Sequence, residues 1–93
     1  MSAPTAIARD VLIANRRGLH ARASAKFVTL AATQPLPVTV AKGGSEVTGT
    51  SIMGLMMLGA AKGDTITISA AGADAEAVVA TMCALVEDKF GED

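Results

Sequence analysis

Ninety-three residues, 51% of them hydrophobic and 18% charged, predict a single packed domain over residues 1–93 rather than a disordered chain. A formal net charge of −1, with two Phe and no Trp or Tyr, argues against a nucleic-acid surface, which needs basic charge and stacking rings. One His and one Cys exclude an internal disulfide and leave too few nitrogen and sulfur ligands for a zinc site, so neither metal nor cofactor is expected.

The most apolar segments, 55–61 and 75–86, fall well short of the ~20 residues that span a bilayer. The first ten residues, MSAPTAIARD, show no basic start leading into an apolar run. Both features predict a cytoplasmic protein with no membrane insertion.

Ile7–Ala14 reads as a first strand with Ile7, Arg9, Val11 and Ile13 on one face. After the turn Asn15-Arg16-Arg17-Gly18 the period changes. Ala23, Phe27, Leu30 and Ala31 then form one apolar stripe of a helix that begins at Ala21 and ends before Pro35 and Pro37. Val38–Lys42 and Glu46–Thr50 are short β patterns around Gly43-Gly44-Ser45, a hairpin signal. Ser51 is a candidate N-cap for a second helix carrying Ile52, Leu55 and Met56, which Gly59 can end. Gly54 is an awkward residue inside that helix, since a central glycine costs ~1 kcal/mol relative to alanine. Residues 65–69 alternate, with Ile66 and Ile68 inward. Asp74 can cap a final helix whose stripe is Val79, Met82, Cys83, Val86 and Phe90. The order βαββαβα, partly joined by a tight hairpin, predicts an α+β fold: a mostly antiparallel sheet covered on one face by helices.

Unusual chemistry concentrates in residues 15–22, NRRGLHAR. A lone histidine is ordinarily a surface or structural residue. His20, however, falls where strand gives way to helix, beside the first unpaired backbone N–H groups. Gly18 supplies backbone freedom just before it, and Arg22 can bring a guanidinium to the same point. Helix-start amides at Ala21 and Arg22, the positive dipole end and an arginine make an anion site, and phosphate fits such a fork of donors. The positive field favours a neutral ring, whose free nitrogen lone pair can accept a phosphoryl group. From the residues alone, His20 is a nucleophile or a phosphate binder at a helix start.

Three segments then carry a resemblance. GLHARASAKFV, SIMGLMMLG and AKGDTITISAAGADA are similar, in the same order, to HPr, the histidine-containing phosphocarrier family of the phosphoenolpyruvate-dependent phosphotransferase system. The resemblance implies an open-faced β-sandwich of four antiparallel strands under three helices. It implies that His20 carries the phosphoryl group on Nδ1, received from enzyme I and passed to enzyme II type acceptors. Arg22 would steady the phosphate. Such a protein is a carrier in others' catalysis rather than an enzyme, and a monomer that exposes its site to successive partners. The family usually has proline after the arginine. Ala23 stands there instead, which preserves the helix with a looser entry. The stretch 15–22 is also similar to the nitrogen-related, NPr-like branch of the family.

Ser51 reads as an N-cap worth ~1 kcal/mol. By resemblance it is also a regulatory phosphorylation site for HPr kinase/phosphorylase. Met53, Met56 and Met57 exceed what a small core needs; part of the set is expected to pack under the helix with Leu55 and Leu58, the remainder forming an adaptable apolar patch. By resemblance Ala21, Ala25, Ile52, Met53 and Met56 are expected to contact partners. Arg16, Arg17 and Lys26 extend the positive field or simply form a solvated face. Cys83 reads as a small buried hydrophobe, and Glu87, Asp88, Glu92 and Asp93 as a solubilising tail. Two other functions are weighed against the carrier: a regulatory module that binds phosphate without a covalent bond, and a small RNA-binding domain, which the acidic pI of about 5.7 disfavours.

Overall fold

The structure is a computed structural model that describes residues 6–92. Its elements are β1 (Ala6–Leu12), α1 (Ala21–Ala31), β2 (Thr39–Lys42), β3 (Ser45–Thr48), α2 (Ile52–Met57), β4 (Thr65–Ala71) and α3 (Ala75–Glu87), followed by a 3-10 turn, Lys89–Gly91. The four strands form one sheet in the order β1-β4-β2-β3, with every pairing antiparallel. The expected α+β architecture is therefore present, three helices over one face of an open sheet.

Alternation decides which face is covered. On β4, Ile66, Ile68 and Ala70 are buried while Thr65 and Ala71 are exposed. Paired antiparallel beside it, β1 sends Val11 into the core, and Ile13 follows just beyond the strand. Arg9, on the same alternation, is exposed, so β1 enters the core only towards its end. The opposite face stays in solvent, with Leu12 54% exposed and the Thr67 hydroxyl donating to Asp10 Oδ1 at 2.7 Å across the β1–β4 pair. Helix α3 packs on β1 and β4, and α2 packs beside α1. Phe27 from α1 and Phe90 from the last turn are both fully buried, each contributing on the order of 1.5–3 kcal/mol by removal from water.

Helix α1 stops at Ala31, and bonds from Thr33 N to Leu30 O (3.0 Å) and from Gln34 N to Ala31 O (3.1 Å) tighten its end up to the residue before Pro35, as the proline pair leads one to expect. Two details depart from the sequence reading. Asp74 holds the N-cap position of α3, but its backbone (φ −98°, ψ 12°) is not the extended form a capping side chain uses, and its carboxylate makes no cap bond. Helix α3 also ends at Glu87. Phe90 reaches the core by another route, because Lys89 and Phe90 both adopt φ of 56°, which no right-handed helix accommodates.

Gly54 has a packing reason. A Cβ there would lie 2.9 Å from Ser51 Oγ and 3.1 Å from Val47 Cβ, so glycine lets α2 sit close against β3. No helix among the described residues is long and apolar enough to cross a membrane.

Candidate functional site

The segment between β1 and α1 is tied down on both sides. Gly63 N donates to Ile13 O at 2.8 Å, Ile13 N to Asp64 O at 2.8 Å and Leu19 N to Ala60 O at 2.9 Å. These bonds seat it on the loop that precedes β4. Gly18 makes the approach possible: its φ is +63°, and a Cβ there would collide with the Ala60 carbonyl oxygen. Inside the turn, Asn15 is fully buried and donates from Nδ2 to Gly18 O at 2.8 Å. Ser24 Oγ donates to Leu19 O at 3.2 Å, fixing α1 to the same segment.

This bracing puts His20 at the N-cap of α1 in extended conformation (φ −74°, ψ 179°). Its Nδ1 accepts from Arg22 N at 3.3 Å, the bond an N-cap side chain ordinarily makes with an oxygen. Ala21 opens the helix and is exposed, so its N–H belongs to the first turn, which has no acceptor within the helix. Around the ring lies a cleft of about 230 Å³ lined by Arg16, Arg17, His20, Arg22 and Glu92. Three guanidinium groups against one carboxylate make this a local positive field on a chain whose net charge is −1. The cleft is shallow and open, so an anion held there stays within reach of another protein.

Glu92 is the member the sequence did not reveal. It reads there as part of a solubilising tail, yet its Oε2 lies 2.7 Å from His20 Nε2, with only 19% of its side chain exposed and 13% of the histidine's. Its Oε1 accepts from Asn15 Nδ2 at 3.2 Å. Burial raises the Glu92 carboxyl, but the hydrogen bonds from His20 and Asn15 and the charges of His20 and Lys26 outweigh it and hold the group below the ordinary range. Asp93, the other end of that expected tail, lies outside the described residues. Lys26 is also engaged, donating from Nζ to Phe90 O at 2.8 Å, so it anchors the last turn while Arg16 and Arg17 line the cleft.

The other expected site residues lie apart from the cleft. Ser51 caps α2, its Oγ accepting from Gly54 N at 3.0 Å. Leu55 and Leu58 are buried under that helix, but none of its methionines joins them: Met53 is 72% exposed, Met56 45% and Met57 78%. The expectation that part of the methionine set packs inward is corrected. With Leu55 filling the inner side of a six-residue helix and Leu58 buried at its C-cap, the methionines are left outside. Ile52, Met53, Met56 and Met57 form one apolar surface. Ala25 is half-buried and lines a different groove, shared with Arg22, Lys26, Leu30 and Leu85. Cys83 is fully buried, and burial pushes its thiol up, with Arg9 lowering it and Glu87 raising it; it holds its proton as a core residue does. Phe27 and Phe90 are both buried, leaving no ring on which a base could stack.

A histidine capping a helix beside an open, arginine-lined cleft, on an open four-stranded sheet, is the make-up of a histidine phosphocarrier. The family model described as PTS HPr component phosphorylation site matches residues 7–88. The chain is 41% identical over 88 residues to phosphocarrier protein NPr of Shewanella violacea, covering 95% of this chain and 97% of that one. It is 43% identical over 84 residues to phosphocarrier protein HPr of Cupriavidus necator, covering 90% and 94%. Among solved structures, HPr-C-His from Thermoanaerobacter tengcongensis superimposes with a TM-score of 0.87 at 38% identity, covering 94% of this chain and 98% of that one. This chain belongs to the HPr family of phosphocarrier proteins of the phosphotransferase system.

Proposed function

We infer that the chain, acting as one domain over residues 1–93, accepts a phosphoryl group on Nδ1 of His20 from phospho-enzyme I and passes it to enzyme II type acceptors in the cytoplasm. The observation that carries this reading is the division of labour on one ring. Nδ1 faces the Arg22 N–H at the helix start, while Nε2 faces the Glu92 carboxylate. A carboxylate only accepts, so the neutral ring keeps its proton on Nε2 and its lone pair on Nδ1.

The step balances without moving a proton. The Nδ1 lone pair forms a bond to phosphorus, the donor–phosphorus bond breaks with its electron pair returning to the donor, and Nε2 keeps its hydrogen. Transfer onward is the same step with the acceptor as nucleophile. Arg22, helped by Arg16 and Arg17, offsets the phosphoryl charge, and the N–H groups of Ala21 and Arg22 are donors that the phosphoryl oxygens can use. Because the cleft is open, the group is stabilised without being enclosed, as a relay requires. The chain is a reactant in its partners' catalysis rather than an enzyme in its own right.

The docking surface in this reading is the Ile52, Met53 and Met56 patch on α2 together with Ala21 and Ala25 on α1. Ser51, half-buried at the start of α2, is the regulatory site for HPr kinase/phosphorylase. Its phosphate would gain from the helix start yet place negative charge beside the apolar docking patch. Relatives named HPr and NPr match this chain at similar identity, so the reading takes in both sugar-type and regulatory acceptors.

The test is intact mass after incubation with phosphoenolpyruvate and enzyme I, for the parent chain and His20→Ala. The reading expects one acid-labile, alkali-stable phosphoryl addition in the parent and none in the variant. An active enzyme I that leaves the parent unmodified, with inorganic phosphate still binding reversibly, would favour the non-covalent phosphate-binding module instead.

A further inference from the structure

The 3-10 turn Lys89–Gly91 holds an energetically costly backbone. Two consecutive non-glycine residues, Lys89 and Phe90, are held at φ of 56°, a conformation that bulky side chains avoid and that persists only where the surroundings impose it. The surroundings here are plain. The Phe90 ring is buried in the core, its carbonyl accepts from Lys26 Nζ at 2.8 Å, Gly91 N donates to Asp88 O at 3.0 Å, and Glu92 N donates to Lys89 O at 2.9 Å. The result is to bring one carboxylate across 72 residues of sequence onto the ring of His20. The same carboxylate is oriented from behind by Asn15, which is itself buried and bonded to Gly18 O.

We propose that Glu92 is a positioning residue for the phosphoryl relay: its carboxylate fixes the Nε2–H tautomer of His20 and stabilises the cationic ring that forms when Nδ1 takes up the phosphoryl group. The proposal rests on the reading of His20 as the phosphorylated residue. Its physical logic follows from the geometry. Attack by Nδ1 leaves the ring with a bond at both nitrogens and a positive charge, because the Nε2 proton stays in place. A carboxylate 2.7 Å from Nε2 gains more from that charged ring than from the neutral one, so the contact favours the phosphorylated state over the resting state. The groups facing the ring are Arg16 and Arg17 from the loop, Arg22 from α1 and Glu92 from the last turn, with Lys26 bonded to that turn at Phe90. Glu92 is thus the one anion in a cationic cleft, placed on the side of the ring away from Nδ1. There it opposes charge on the imidazole while the arginines oppose charge on the phosphoryl oxygens.

The experiment uses the full chain and the variants Glu92→Gln and Glu92→Ala, with thermal unfolding to confirm that each folds. Two readouts are taken: the 15N chemical shifts of the His20 ring nitrogens, and the single-turnover rate of phosphorylation by phospho-enzyme I. In the parent and in Glu92→Gln, whose amide oxygen still accepts a hydrogen bond, the shifts should report a proton on Nε2. In Glu92→Ala they should move towards a mixture of tautomers. The rate should fall on the order of tenfold in Glu92→Ala, with Glu92→Gln between, as expected for loss of one partly exposed charge-assisted hydrogen bond. Parent-like shifts and rate in Glu92→Ala would overturn the proposal, and so would a faster rate, which would make the carboxylate a brake. A parent chain that takes no phosphoryl group from active enzyme I would instead defeat the relay reading and the rate half of the proposal with it, while the ring shifts still decide the tautomer.

Discussion

Two helix starts in this molecule are capped by different chemistry. At α2 a serine does the conventional job: Ser51 Oγ accepts from Gly54 N at 3.0 Å. At α1 an imidazole does it, and less well, with His20 Nδ1 3.3 Å from Arg22 N. The weaker cap leaves its nitrogen available. Support that the His20 cap does not supply comes from elsewhere, from Asn15, Gly18, Ser24 and the anchored last turn. A reactive residue can thus occupy a structural position when its neighbours carry the structural load.

Substitutions at either helix start separate the two roles. The largest expected effect is His20→Ala, which should abolish the phosphoryl adduct in intact-mass measurements while costing no more than about 1 kcal/mol of stability, the value of one N-cap. A variant that fails to fold would mean the histidine is structural after all. Next, Gly18→Ala should destabilise the fold by about 2–4 kcal/mol in denaturant unfolding, since it combines a positive φ with a collision at the Ala60 carbonyl. A near-neutral result would show that the bracing of the His20 segment is looser than the close approach implies.

At the other helix start, Ser51→Ala should cost about 1 kcal/mol and leave the adduct intact. Ser51→Asp should slow transfer from enzyme I by placing charge beside the docking patch, and unchanged transfer kinetics would remove Ser51 from regulation.

The smallest effect concerns pH. Glu92 is held below its ordinary range in the folded chain, so its contribution to stability is present above the unfolded carboxyl value, about 4.3. That contribution is lost as pH falls through the lower folded value. Thermal unfolding of the parent should therefore converge on that of Glu92→Gln as pH drops below about 4. A difference that persists or grows in acid would contradict the contact.

The strands, the helices and the histidine were legible because they rest on local signals. Alternation around Ile66 and Ile68, the stripe through Phe27, and a histidine at a strand-to-helix junction beside arginines are all visible over short stretches of chain. Glu92 was not legible, because what places it is distant: the burial of Phe90 and the reach of Lys26 across 64 residues. Near the end of a chain, an acidic residue reads as solvated unless something pins the backbone before it. The one local hint was Phe90 itself, an aromatic too large to leave exposed. Reading it as a continuation of the α3 stripe placed the ring correctly and missed the left-handed turn that carries Glu92 to the cleft. The methionines of α2 were misjudged for the converse reason. A helix of six residues has room for few inward positions; Leu55 takes the one within it, and Leu58 is buried at its C-cap.

Which ring nitrogen of His20 carries phosphorus can be read by NMR. With 15N-labelled protein phosphorylated by enzyme I and phosphoenolpyruvate, phosphorus coupling should appear on Nδ1 of His20, with the proton still on Nε2, and should vanish once an enzyme II type acceptor is added. Coupling on Nε2, or a phosphoryl group on any residue other than His20, would show that Nδ1 of His20 is not the carrier atom.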